Sequence, residues 1–159
     1  MRLGRSDGDL DKAVWLNTES SGALPLAEVV ANSVTGTPDV NAVATRNGSH
    51  LDVLIWNYHD ADVPGEPAPI HLEVDGLRGT AAIVSEYRMD ATHSNAYRAW
   101  QRMGGPAQPT LEQKSELEKA GALDQTVSGD SVPVHDGKAS LEVSALPRQG
   151  VLLVRLRER

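Results

Sequence analysis

Short runs rich in β-branched and aliphatic residues recur along the chain, each bounded by turn-forming residues. No other feature constrains the fold as much. Seven stand out: AVWLNT (13–18), VNAVAT (40–45), LDVLIWNY (51–58), IHLEVDG (70–76), AAIVSEYRM (81–89), KASLEV (138–143) and GVLLVRL (150–156). Strands this short and this closely spaced predict a mainly β fold, an antiparallel β-sandwich, instead of a parallel sheet with crossover helices. Asn47-Gly48 and Asp136-Gly137 read as type I′ hairpin turns, whose two central residues both take φ > 0. Val63-Pro64-Gly65 closes a longer loop.

In IHLEVDG, Ile70, Leu72 and Val74 fall on one face and His71, Glu73 and Asp75 on the other, the alternation of a half-buried strand. In LDVLIWNY the stretch Val53-Leu54-Ile55-Trp56 is apolar on both faces, which predicts a central strand covered on both sides. Two or three short helices interrupt the strands. TLEQKSELEKAGAL has Thr110 as N-cap, Gln113 completing a capping box and Gly121 as C′ glycine. Leu111 and Leu117 give it only a thin apolar stripe, so it belongs on the surface. NAYRAWQRM places Ala96, Tyr97, Trp100 and Met103 at helical spacing behind Ser94 or Asn95 as N-cap. LPLAEVVANS is long enough for about two turns. The expected organisation is a poorly defined N-terminal segment (1–12) and one sandwich domain (13–159) with a helical insertion at about 94–121. No repeat, low-complexity tract or interdomain linker interrupts it.

A chain of 159 residues holds one ordinary domain. A (β/α)₈ barrel typically needs about 250 residues and does not fit. A formal charge of −7 argues against nucleic-acid or anionic-membrane partners, which call for clustered Lys and Arg. The absence of cysteine removes disulfides, thiolate metal sites and cysteine nucleophiles, and leaves the compartment open. No stretch approaches the roughly 20 apolar residues of a membrane span. MRLGRSDGDLDK lacks the apolar region of a secretory signal. The expectation is a soluble, acidic, globular protein of unassigned localisation. Phe is absent and aromatics make up only 4%, so the core must be aliphatic and each aromatic residue is worth placing.

The search for chemistry assigns no catalytic residue, cofactor-binding residue or metal ligand, and calls for no cofactor. His59, Asp60 and Asp62 in YHDADVPG resemble a calcium turn, but Asx side chains in turns commonly bond their own backbone. His93 in THSN lies beside hydroxyls and an amide; capping of a strand-to-helix junction accounts for such a cluster better than a triad does. No Gly-x-Ser-x-Gly elbow, phosphate cradle or motif-borne carboxylate pair is present. What remains unusual is DATHSNAYRAWQRMGGPAQP (90–109), where polar and aromatic residues concentrate.

VLIWNYHDADVPG (53–65), YRMDATHSNAYRAWQRMGGPAQPTLEQ (87–113), LPRQGVLLVRL (146–156) and SSGALPLAEVV (20–30) resemble the C-terminal region of glycoside hydrolase family 39, the β-xylosidases related to α-L-iduronidase. The likeness runs from about residue 13 to the end, and its central phrase is long and specific. It implies an accessory β-sandwich packed beside a (β/α)₈ barrel, with an N-terminal strand of the full enzyme completing the sandwich. Family members carry their acid/base and nucleophile glutamates on that barrel and hydrolyse β-xylosides with retention. No glutamate here matches either position, and Met1 falls where the barrel has already ended. The implied partner is the catalytic barrel, met through His93, Asn95, Tyr97, Arg98 and Trp100, large aromatics and Arg being favoured at interface centres. Left unpartnered, that patch predicts self-association. An alternative is a carbohydrate-binding module that stacks xylo-oligosaccharides on Trp15, Trp56, Tyr58 or Trp100, although Trp56 reads as core. An independent small hydrolase is a more distant third.

Overall fold

The computed structural model describes residues 13–159; the segment 1–12 lies outside the described residues. The strands are β1 (Val14–Leu16), β2 (Asp39–Asn47), β3 (His50–Tyr58), β4 (Ala68–Asp75), β5 (Ala81–Met89), β6 (Asp124–Pro133), β7 (Lys138–Leu146) and β8 (Gly150–Glu158), and the helices are α1 (Leu26–Asn32), α2 (Ala96–Arg102) and α3 (Leu111–Ala120). They form a lopsided sandwich, mainly β as expected. One sheet has six strands in the order β1-β2-β3-β8-β5-β6, the other pairs β4 with β7, and every pairing is antiparallel.

Register fixes the core. Val53 lies opposite Ala44 and Val154, and Val84 lies opposite Leu156, so these residues share the inner face of the large sheet. Ile70, Val74, Ala139, Leu141 and Val143 from the small sheet complete the cluster. Leu146, Leu152, Val154 and Leu156 are fully buried, each contributing about 1.5–3 kcal/mol of transfer free energy. The core is aliphatic, as a chain without Phe requires.

The strand missed in the sequence is β6. DQTVSGDSVP carries only Val127 and Val132 as apolar anchors, and its pairing with β5 shifts register between Val84 and Ser85 and again between Glu86 and Tyr87. An edge strand held by backbone pairing through bulges needs no clean alternation.

The outer face of β3 is not covered as its sequence predicted. Leu51, Val53, Ile55 and Asn57 point inward and are buried, whereas Leu54 is 40% exposed. Outward-facing Leu54 and Trp56 are flanked by Val43, Val151 and Leu153 at the matching register positions, so apolar neighbours on one open face shield one another. Trp56 is partly buried there and donates its indole N–H to Asp39 at 3.2 Å.

The turn at Asn47-Gly48 also differs from expectation. Asn47 still pairs with His50, and Gly48-Ser49 form the loop with positive φ only at Gly48, the pattern of a glycine-first two-residue turn. Asp136 and Gly137 both have positive φ, as a type I′ turn requires. Gly121 ends α3 at φ −90 in the right-handed region, so its role is not that of a left-handed C′ glycine. The α3 capping box is complete, with Thr110 Oγ1 accepting the Gln113 N–H and the Gln113 side chain accepting the Thr110 N–H.

Strand direction sorts the connections between two ends. β3 and β5 finish, and β2 and β8 start, at the same end. All three helices lie in connections at that end, α1 before β2 and α2 and α3 between β5 and β6. The other end carries tight turns, pinned by the Arg46–Glu158 ion pair, an Arg46 bond to the Gly76 carbonyl at 2.9 Å and an Arg78 N–H bond to Glu158 at 2.8 Å.

Candidate docking site at the helical end

Asp90, immediately after β5, organises the helical end. It is 6% exposed. Its Oδ2 accepts from Arg88 Nε at 2.5 Å, and its Oδ1 receives the Thr92 N–H at 2.7 Å, the Thr92 hydroxyl at 2.8 Å, and the His93 N–H and Nδ1 at 3.0 Å each. Burial alone would raise the pKa of this carboxyl, but these bonds outweigh it and hold the group well below the usual carboxylate range. Arg88 also donates to the Ala145 carbonyl at 2.9 Å, which joins the cluster to β7.

The chain then reverses through Ser94 at φ 52. The Ser94 hydroxyl donates to the Arg88 carbonyl at 2.6 Å and accepts the Asp124 N–H at 2.8 Å, fastening the start of β6. Asn95 donates to the Asp90 carbonyl at 2.8 Å and, as N-cap of α2, accepts the Arg98 N–H at 2.9 Å. These groups satisfy donors that a helix start leaves orphaned.

On α2, Ala99 is buried, while Tyr97 is 61% exposed. Trp100 lies outside the sandwich core and is half-buried. Its indole N–H donates to the Pro106 carbonyl at 3.0 Å. Gly105, at φ 64, lies so close that a Cβ there would sit 3.3 Å from the indole ring. Tyr97 stacks on Trp100 with ring centroids 5.7 Å apart and planes at 23°. Arg98 bridges to Asp62 at 3.0 Å and Gln101 at 3.2 Å, which ties α2 to the β3–β4 loop.

The same loop is tied to the segment after α1: the Val34 N–H donates to the Asp60 carboxylate and the Asp60 N–H to the Val34 carbonyl, both at 2.9 Å. Buried His59 accepts the Ala61 N–H on Nδ1 at 3.0 Å. His59, Asp60 and Asp62 thus have separate local partners. Among the described residues, no group of three or more His, Cys, Asp or Glu is arranged to hold a metal ion, and no helix is long and apolar enough to cross a membrane.

The sequence reading missed the rest of this surface. Leu26 and Val30 on α1 are each 78% exposed, Val63 is exposed too, and so is Tyr58, which the sequence had named as a stacking candidate. The i, i+4 spacing of Leu26 and Val30 was legible, but nothing in the sequence showed that this stripe stays exposed among the described residues. Asp90 was missed as well, since a single acidic residue at a strand end carries no motif. A groove of about 520 Å³ also opens beside β4, with Val40, Ala42 and Leu72 on its apolar side and Glu19–Gly22, His71 and Glu73 on its polar side.

Fold and site together define a two-sheet antiparallel β-sandwich module with a helical cap at one end. The family model for glycosyl hydrolases family 39 matches residues 12–133, and the chain belongs to that family. A β-xylosidase from Caldicellulosiruptor saccharolyticus is 26% identical over 114 residues, covering 72% of this chain and 23% of the relative. The chain is similar in fold to a family 39 enzyme from Xanthomonas axonopodis pv. citri (TM-score 0.62, 15% identity, covering 80% of this chain and 28% of that one). It is likewise similar to a monomeric β-xylosidase from Caulobacter crescentus CB15 (TM-score 0.53, 19% identity, covering 80% and 29%). The chain therefore spans less than a third of the length of each.

Proposed function

We propose that this chain is the non-catalytic C-terminal accessory domain of a β-xylosidase-like family 39 glycosidase, and that it buttresses a (β/α)₈ catalytic barrel by docking on it through the helical end. The observation that carries this reading is the exposed ring of Tyr97, stacked on half-buried Trp100, at an end that also exposes Leu26 and Val30. The Tyr97 ring takes no part in the aliphatic core, and buried interface centres favour large aromatics and Arg. The short span relative to a β-xylosidase fits a domain whose catalytic partner lies elsewhere in the enzyme, working on xylan-derived glycosides. The groove beside β4 suits the additional strand that the family resemblance implies.

The alternative, a module that binds xylo-oligosaccharides, is favoured by the open rings of Trp15, Tyr58 and Tyr97. Light scattering across a concentration series, combined with an assay on a chromogenic β-xyloside, tests the leading reading. Self-association that Tyr97→Asp abolishes, with no turnover, is expected. A strictly monomeric chain, or one that hydrolyses the xyloside, would overturn it.

A further inference from the structure

Docking through the helical end leaves the outer face of the large sheet unexplained. Register sets Val43, Leu54, Leu153 and Tyr87 side by side in one row across β2, β3, β8 and β5. The next row towards the helical end holds Trp56, Val151 and Met89, with Asn41 at its β2 edge. On the other side the apolar strip stops at Thr45, Asp52, Arg155 and Ser85, where Asp52 and Arg155 pair with each other through bonds of 2.8 and 3.0 Å. We propose that this strip is a second docking surface, covered by one amphipathic helix from the remaining part of the enzyme, laid across the four strands. The inference rests on the reading of the chain as one part of a larger glycosidase, and it adds a contact that the helical end does not make.

Residue type points to an interface. Of the six aromatic residues in the chain, Trp15, Trp56, Tyr58 and Tyr87 take outward positions on this sheet, and none of the six belongs to the core cluster. Interface centres favour such side chains. Size selects a tethered occupant. With strands about 4.8 Å apart and rows about 7 Å apart, the two apolar rows offer on the order of 300 Å² once side-chain width is added. A free-standing complex buries about 800 Å² per partner, so this strip alone would hold neither a second copy nor a freely diffusing protein. A segment already joined to the module, by chain connection or through the helical end, needs far less. More than two thirds of each relative's length lies outside the span matched here, which is the source of such a segment. Shape selects a helix. An apolar sheet face is covered by helices or by another sheet. A second sheet would press on the polar row as well, whereas a helix about 10 Å wide covers the two apolar rows and leaves Asp52 and Arg155 at its margin. About ten residues, at 1.5 Å each, cross the four strands, so the occupant carries apolar residues at i, i+3, i+4 and i+7 over roughly three turns.

Photo-crosslinking inside the source cells tests this. The protein is expressed from its own gene with p-benzoylphenylalanine in place of Leu54, Leu153 or Tyr97, or of Glu73 on the small sheet, whose side chain is 79% exposed. Cross-linked peptides are then identified by mass spectrometry. Leu54 and Leu153 are expected to mark the apolar side of one helix in the catalytic part of the enzyme, and Glu73 is expected to leave that helix unmarked. Leu54→Lys, at a position already 40% exposed, should abolish the Leu153 cross-link. Cross-links from Leu54 and Leu153 to a second copy of this chain or to a strand would overturn the proposal. So would yields no higher than that from Glu73, or a Leu153 cross-link that survives Leu54→Lys. Tyr97 reports separately on the helical end. A catalytic part captured from Tyr97 alone removes the sheet-face contact and keeps the docking reading, and one captured from Leu54 and Leu153 alone does the reverse.

Discussion

Tyr97 stacks on Trp100, yet the two rings are held differently: Trp100 is bonded to the Pro106 carbonyl and packed under Gly105, whereas Tyr97 is 61% exposed. Truncation should separate their roles. Tyr97→Ala is expected to cost about 1 kcal/mol or less, the worth of one exposed aromatic pair, while sharply reducing self-association. Trp100→Ala should cost about 3 kcal/mol, because it empties a half-buried site and leaves the Pro106 carbonyl without its donor. Chemical denaturation and light scattering on both variants check this.

Asp90 should make the helical end sensitive to acid. Its folded pKa is depressed, so its contribution is present above the unfolded carboxylate value of about 3.9 and is lost as pH falls through the lower folded value. Asp90→Ala should destabilise the chain by about 3 kcal/mol at neutral pH, since Arg88 is left partly buried without its partner. The variant should also show a flatter acid limb than the unmodified chain in urea midpoints measured from about pH 7 downward.

Much of this architecture was legible because it is periodic. The seven apolar runs became seven strands, and the Thr110–Gln113 capping box opens α3 as its spacing implied. β6 was not legible, because its stability comes from backbone pairing with β5 and not from its own side chains. Nor was the open outer face of β3. Leu54 and Trp56 look like core in one dimension, and only the register that sets them beside Val43, Val151 and Leu153 shows an apolar face with no second layer among the described residues. At the cap, Asn95 was readable as an N-cap from local chemistry. The convergence of Arg88, Thr92 and His93 on Asp90 depends on a backbone reversal at Ser94, which no spacing rule specifies.

The unequal sheets predict unequal costs for one substitution at two leucines. Leu152 is fully buried on the inner face and Leu54 is 40% exposed on the outer one. Leu152→Ala should cost about 3–5 kcal/mol, a transfer loss plus a cavity. Leu54→Ala should cost about 1 kcal/mol or less. Urea unfolding of both variants measures the difference, and equal losses would mean that the outer face is covered in solution.

His71 supplies a pH dependence of the opposite sign on the small sheet. Its Nδ1 lies 2.7 Å from Glu142 on the paired strand, and its Nε2 lies 3.1 Å from the Ser140 hydroxyl and 3.6 Å from Glu73. The hydrogen bond to Glu142 is the main cause of a raised pKa, with Glu73 adding to it and partial desolvation opposing it. A raised folded pKa means that the stabilising contribution is fully present below the unfolded histidine value of about 6.5 and disappears as pH rises through the higher folded value. The pair is exposed to solvent and salt, so the effect should be small and should shrink further at high ionic strength. His71→Gln keeps a polar side chain at the position but cannot gain the charge. The urea midpoint of the unmodified chain, minus that of this variant, should therefore decline from about pH 5 to about pH 9. A difference that stays flat across that range, or that rises with pH, would show that the Glu142 contact does not hold the protonated imidazole in solution.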